Sequence, residues 1–147
     1  MICEVTPSVA SGTVQAPGSK SMTHRLLICG GLAQGESVVH GVSLSSDIRA
    51  TLDCLSALGA TYTYHQDDIR IAGCDPKKNR GAILSCRESA STLRFFLPLC
   101  LLSGYRYRMT GSNRLMQRPL SVYQSLCNKE GFLFSRSSDG KGLVIQG

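Results

Sequence analysis

The stretch Ala16-Pro17-Gly18-Ser19-Lys20-Ser21-Met22-Thr23-His24-Arg25 decides how this chain is read. Pro17-Gly18 marks a turn. Ser19 or Ser21 can cap a helix, which the apolar run Leu26, Leu27, Ile28 and Leu32 carries to a stop at Gly35. A helix start presents unpaired N–H groups and the positive end of the dipole, so it attracts anions. This one adds two hydroxyls, Ser19 and Ser21, and two fixed cations, Lys20 and Arg25. Ser21 and Arg25 are four apart and so share a face of the first turns. The stretch suits a small phosphorylated or carboxylated molecule. It is not a Walker A loop: Val14 and Ser19 stand where G-x-x-x-x-G-K-[ST] needs its glycines. A plain cap with a solvated lysine also reads Ser-Lys-Ser, so a second signal has to decide.

That signal is repetition. Outward from the opening stretch, residues 2–5 and 12–16 read as short β-like pieces, 21–33 as a helix and 36–42 as a strand. Ser45 or Ser46 with Asp47 caps a second helix, with an apolar face of Ile48, Leu52, Leu55 and Leu58, ending at Gly59. Residues 60–65 and 69–72 form a hairpin around Gln66-Asp67-Asp68, and 73–81 a polar loop. The order then recurs: a strand over 82–85, and a Ser-rich helix start, Cys86-Arg87-Glu88-Ser89-Ala90-Ser91-Thr92-Leu93-Arg94. This helix runs through 102 with a bend expected at Pro98. A strand over 105–110 and a loop over 111–117 follow, then a helix with Pro119 in its first turn, ending near Gly131. A hairpin of 132–136 and 143–146 closes the chain.

Arg25 and Arg94 are 69 apart, as are Gly35 and Gly104, while Ile71-Ala72-Gly73 and Ile145-Gln146-Gly147 are 74 apart. The pattern predicts an α+β (α/β two-layer) fold of two repeated βαβαββ units, residues 17–75 and 76–147, with the first strands in 1–16. Each unit starts its first helix with hydroxyls and an arginine, so the anion-binding device is duplicated, with Ser91 and Arg94 as the second set. Arg114-Leu115-Met116-Gln117-Arg118-Pro119-Leu120 is a third basic element, and Ser45-Ser46-Asp47-Ile48-Arg49 is its counterpart in the first unit. Arg49, Arg114 and Arg118 are therefore candidates for planar, two-pronged contact with a carboxylate or phosphate.

Composition bounds the partners. The net charge of +6 favours anions, but only Lys77-Lys78-Asn79-Arg80 forms a basic run, and there is no Trp for base stacking. Nucleic acid is therefore not the expected partner. No apolar run reaches membrane-spanning length and no basic-then-apolar leader opens the chain, which points to the cytoplasm. Seven cysteines, an odd number without a C-x-x-C pair, read as reduced thiols, those at 29, 54, 100 and 127 packing inside helices. The three histidines show no metal spacing.

At these residues the chain resembles the 5-enolpyruvylshikimate-3-phosphate synthases. The blocks P-G-S-K-S-x-x-x-R (17–25), S-D-I-R (46–49), E-S-x-S-T-L-R (88–94) and G-x-x-R-L-M-x-R-P-L (111–120) are similar to that family's, in order and spacing. The resemblance covers the whole chain but only about the first third of such an enzyme, whose two domains of three βαβαββ units each close around the substrates. It implies that residues 1–16 belong to the other domain or a linker, and that a third unit and the second domain lie outside this sequence. It implies a reaction as well: the enolpyruvyl group of phosphoenolpyruvate moves to the 5-hydroxyl of shikimate 3-phosphate, on the way to chorismate and the aromatic amino acids, without metal or cofactor.

By motif, Lys20, Ser21 and Arg25 would bind shikimate 3-phosphate. Lys20 would also face phosphoenolpyruvate as the catalytic residue, with Ala90 lining that pocket and Arg114 gripping it. Ser91, Arg94, Asp47, Arg49 and Arg118 would support them. Ala90 stands where the family usually has glycine, and Phe95 where many members have proline, so the resemblance implies a changed phosphoenolpyruvate pocket and tolerance of glyphosate. Two other readings compete. A UDP-amino-sugar enolpyruvyl transferase resembles G-A-K-N where this chain has Gly18-Ser19-Lys20-Ser21. A non-catalytic βαβαββ module binding RNA or another anionic polymer would need a clustered basic face. An uncovered sheet edge would favour self-association.

Overall fold

Serine caps set the helix starts and glycines some of the helix ends in the computed structural model, which describes residues 2–78 and 80–147; the first helix ends at its Ala33 cap, short of the expected stop at Gly35. Helix α1 (Lys20–Leu32) starts at Ser19, α2 (Ser46–Leu58) at Ser45 and α3 (Ala90–Leu102) at Ser89. Each cap hydroxyl accepts the N–H three residues on: Met22 at 3.3 Å, Ile48 at 3.3 Å and Thr92 at 3.2 Å. Gly59 closes α2 in the left-handed region, at φ 109°, where a side chain would be strained. Pro98 sits inside α3, which continues past it to Leu102.

Two sheets flank these helices. Strands β1 (Glu36–Val39), β2 (Thr61–His65) and β3 (Asp68–Ala72) form an antiparallel sheet in the order β1-β3-β2. Strands β4 (Ile83–Ser85), β5 (Tyr107–Thr110), β6 (Leu133–Arg136) and β7 (Gly142–Gln146) form a second in the order β4-β5-β7-β6. There β4 runs parallel to β5 and the other pairs are antiparallel. The run β5-β7-β6 thus repeats β1-β3-β2. Val39 faces Ile69 across one ladder and Tyr107 faces Ile145 across the other, and three of these four are fully buried with Val39 nearly so. The mixed α/β architecture is the expected class.

Helix α1 packs on β1 and β3, α3 on β7, and α2 lies between, touching α1, α3, β2 and β4. One apolar core therefore runs through both halves, from Leu27, Leu52, Leu55 and Ile71 to Phe96, Leu97, Met109 and Ile145. Cys54, Cys100 and Cys127 pack in it as expected, and so does Cys86. Burial pushes the Cys100 thiol up to about 12, and contact with Cys86, then burial, pushes Cys54 higher still. Cys29 departs from expectation: it sits on the outward face of α1 and is exposed.

Other differences have physical causes. The β-like pieces at 2–5 and 12–16 are not strands. Residues 2–19 are exposed and in no helix or strand, because their hydrophobic side chains (Val5, Val9, Val14) find no face to bury against. Among the described residues β1 pairs only with β3, so the edge equivalent to the one β4 covers on β5 is open. The expected 111–117 loop contains a one-turn helix, α4 (Asn113–Met116), capped by Ser112. The next helix, α5 (Ser121–Glu130), starts after Pro119 rather than with it. Leu120 is buried at φ −124° and supplies no side-chain cap, while the Arg118 N–H turns back to Leu115 O at 3.1 Å.

A cation-bearing cluster of helix starts

The first turns of α1, α2 and α3 meet at one end of the core. Lys20 Nζ donates to Asp47 Oδ2 at 2.6 Å, joining α1 to α2. Thr92 Oγ1 lies 2.9 Å from Thr51 Oγ1 and 3.4 Å from the Asp47 carbonyl oxygen, joining α3 to α2. The Arg25 guanidinium stacks over the Phe95 ring at 5.1 Å, joining α1 to α3, and its Nη1 donates to the Ser21 carbonyl at 2.9 Å. Gly18 makes the approach to α1 possible: a Cβ there would stand 3.0 Å from the Gly41 carbonyl oxygen.

Three capped helix starts are thus brought together with Lys20 and Arg25. Each directs free N–H groups and the positive end of its dipole toward this end of the molecule. Lys20, Ser21 and Arg25 are exposed, while Ala90 and Ser91, the first residues of α3, are half-buried. Asp47 is the carboxylate of the cluster and offsets part of its charge. Such a surface can hold an oxyanion.

Arg114 lies on α4, a separate element. Its placement comes from the preceding loop: the Ser112 N–H donates to the Arg87 carbonyl at 2.7 Å, setting α4 beside the loop that leads into α3. Gly111 allows this, since a Cβ there would stand 2.8 Å from that same carbonyl. Among the described residues the side chains of Arg49, Arg94, Arg114 and Arg118 make no hydrogen bond or ion pair, and all four are exposed. Arg94 and Arg118 contribute backbone instead: the Arg94 carbonyl accepts from Tyr123 at 3.2 Å and the Arg118 carbonyl from Arg136 at 3.4 Å.

Sequence reasoning missed the buried polar set beneath the cluster. His24, Thr51, Ser89 and Thr92 are almost wholly buried, and His24 Nδ1 lies 2.7 Å from Thr51 Oγ1. Ser89 and Thr92 fall in the E-S-x-S-T-L-R block without being singled out there, and no motif marks His24 or Thr51. A polar residue on the apolar face of each helix was the available signal.

The sequence profile of the EPSP synthase family (3-phosphoshikimate 1-carboxyvinyltransferase) matches residues 5–130. The 3-phosphoshikimate 1-carboxyvinyltransferase of Clostridium perfringens strain ATCC 13124 is 36% identical over 144 residues, covering 97% of this chain and 34% of the relative. The protein of that name from Clostridioides difficile strain 630 is 34% identical over 154 residues, covering 98% and 35%. Among solved structures, EPSP synthase from Acinetobacter baumannii superposes with a TM-score of 0.74 at 21% identity, covering 92% of this chain and 32% of that one. That likeness carries the fold. The chain spans about a third of the length of the relatives it matches.

Proposed function

The chain belongs to the EPSP synthase family, and from that premise we propose that it is the N-terminal part of an enzyme moving the enolpyruvyl group of phosphoenolpyruvate to shikimate 3-phosphate. The observation that carries this reading is the meeting of three serine-capped helix starts around Lys20 and Arg25. In this proposal Lys20, Ser21 and Arg25 hold shikimate 3-phosphate, Lys20 also faces phosphoenolpyruvate, and Ala90 and Arg114 line and grip the latter.

The reaction asks for this equipment. The enol carbon–carbon double bond takes a proton, the 5-hydroxyl oxygen adds to the resulting cationic carbon, and its proton leaves to a base. Loss of that methyl proton and of inorganic phosphate then restores the double bond. Cations must neutralise two phosphates and two carboxylates throughout, and an acid/base must move the protons. The cations have candidates here. A second wall that excludes water would strengthen every charge in the site, so the 147-residue chain by itself is expected to bind without turning over. The proposed units are residues 17–75 and 76–147, the site is in the cytoplasm, and neither nucleic acid nor membrane is a partner. Among the described residues no helix is long and apolar enough to cross a membrane. A UDP-amino-sugar acceptor is disfavoured by Ser19 and Ser21, and a polyanion by the lack of a clustered basic face.

Titration of the chain with shikimate 3-phosphate, followed by amide NMR, tests the reading. The Gly18–Arg25 amides should shift, and Lys20→Ala should weaken binding by at least about tenfold, as for loss of a charge-assisted hydrogen bond. Unmoved amides would reduce the α1 start to a cap.

A further inference from the structure

The buried chain beneath the cluster has a direction. Thr92 Oγ1 donates its single proton to Ser89 Oγ at 2.8 Å or to the Asp47 carbonyl at 3.4 Å. With its proton so placed Thr92 has none to give Thr51, and of the two hydroxyls, either of which the 2.9 Å contact admits as donor, we assign the role to Thr51. Thr51 Oγ1 has then spent its own proton, so at 2.7 Å from His24 Nδ1 it accepts. In that assignment the ring carries its proton on Nδ1 and Nε2 is a bare lone pair, which agrees with an Nε2 that is buried and without a hydrogen-bond partner among the described protein groups.

We propose that His24 is a positioning residue, a neutral Nδ1–H imidazole whose bond to Thr51 orders the chain Thr51–Thr92–Ser89 and so fixes the starts of α1, α2 and α3 in one arrangement. His24 lies within the turn that carries Lys20, Ser21 and Arg25. Ser89 caps the helix that Ala90 opens, and the Asp47 carbonyl belongs to the residue that holds Lys20. One ring orientation thus reaches each of the three starts by hydrogen bonds alone.

A second ring proton on Nε2 would be a buried donor with no acceptor, and it would sit near charge of both signs. Lys20 and Arg25 on α1 oppose it, Asp47 on α2 favours it, and α3 presents the Phe95 ring, 6.3 Å away between centroids. Burial dominates and holds the ring below its ordinary value. Acid should therefore disturb the arrangement only below 6.5, as the pH falls through the lowered native value.

The inference uses the proposed shikimate 3-phosphate site for one of its readouts, and the others do not depend on it. Nitrogen-15 NMR of the 147-residue chain should show His24 Nδ1 protonated and Nε2 of pyridine type at neutral pH, titrating below 6.5. An Nε2–H tautomer, or a midpoint at or above 6.5, would overturn the proposal. His24→Asn, whose amide N–H can replace Nδ1–H, should leave the Ser89–Thr92 amides in place. His24→Leu should move them, far along the chain, and weaken shikimate 3-phosphate binding about three- to tenfold. If His24→Leu leaves those amides unmoved, or if His24→Asn moves them as far as His24→Leu does, the positioning role fails. Should His24→Leu not fold, His24→Asn and the tautomer decide. If the unsubstituted chain binds no shikimate 3-phosphate, the functional reading fails, while the tautomer and the amides still judge His24.

Discussion

Lys20 Nζ stands 2.6 Å from Asp47 Oδ2, so the first cation of α1 is paired with the first turn of α2. The pair is solvent-exposed at 55% and 26% of its side chains, and exposed pairs are worth about 0–1 kcal/mol. A double-mutant cycle of Lys20→Ala and Asp47→Asn, read by denaturant unfolding, should give a coupling within that range. A coupling above about 2 kcal/mol would make the pair a structural strut rather than an aimed charge.

Ala90 opens α3 directly after its serine cap and is half-buried. If its methyl faces the phosphoenolpyruvate pocket, it takes space that the longer glyphosate needs. A methyl forced into a filled site costs about 1–3 kcal/mol. In an enzyme containing this segment, Ala90→Gly should lower the glyphosate inhibition constant about tenfold and change the KM for phosphoenolpyruvate less. Equal inhibition constants would remove Ala90 from selectivity.

Stability should fall in acid in two steps. Burial holds the His24 pKa below 6.5, so the unfolded chain takes up that proton first. The stabilisation is complete above 6.5 and is lost as pH falls from there through the lowered native value. The His40 hydrogen bond holds Asp68 below its ordinary 3.8, so its contribution is present above 3.8 and is lost as pH falls through the native value. Thermal midpoints measured from about pH 8 downward should show the upper step and then a lower one beginning at 3.8, to which Asp139, held down by its Ser137 hydrogen bond, also contributes, and His24→Asn should remove only the upper one. An unchanged upper step in that variant would contradict the assignment.

Gly73 follows β3 where the chain passes under the end of α1, and a Cβ there would collide with the Ala33 carbonyl oxygen and stand 2.8 Å from that of Gly30. Neither backbone atom can yield cheaply. Gly73→Ala should destabilise the chain by about 2 kcal/mol or more, measured by denaturant unfolding. Gly35→Ala, with nothing within 4 Å but a φ of 87°, should cost less, about 1 kcal/mol.

Met22 and Leu26 are 54% and 46% exposed on α1, the helix that packs on β1, and among the described residues one edge of β1 is open. Exposed apolar stripes and unpaired edges recruit partners. Sedimentation should show self-association at high concentration, reduced by Leu26→Glu. A strictly monomeric profile would count against it.

The sequence by itself determined the local structure. Serine caps and the apolar spacing of Ile48, Leu52 and Leu55 depend on neighbours three or four residues away, so α1, α2, α3 and the hairpins were legible almost to the residue, while α4 was not. The basic helix starts were legible for the same reason. What lay outside local reach went wrong or unseen. Residues 12–16 have a strand's composition, yet a strand exists only where a partner edge offers hydrogen bonds. Pro119 looked like a first-turn proline until the burial of Leu120 moved the helix start beyond it. Only the tertiary structure decided that Lys20 meets Asp47, that Arg25 lies over Phe95, and that His24 reaches Ser89 through two threonines. The contacts between helices among these span 27 to 70 residues of sequence, and they form because packing three helices between two sheets brings their capped ends to one place.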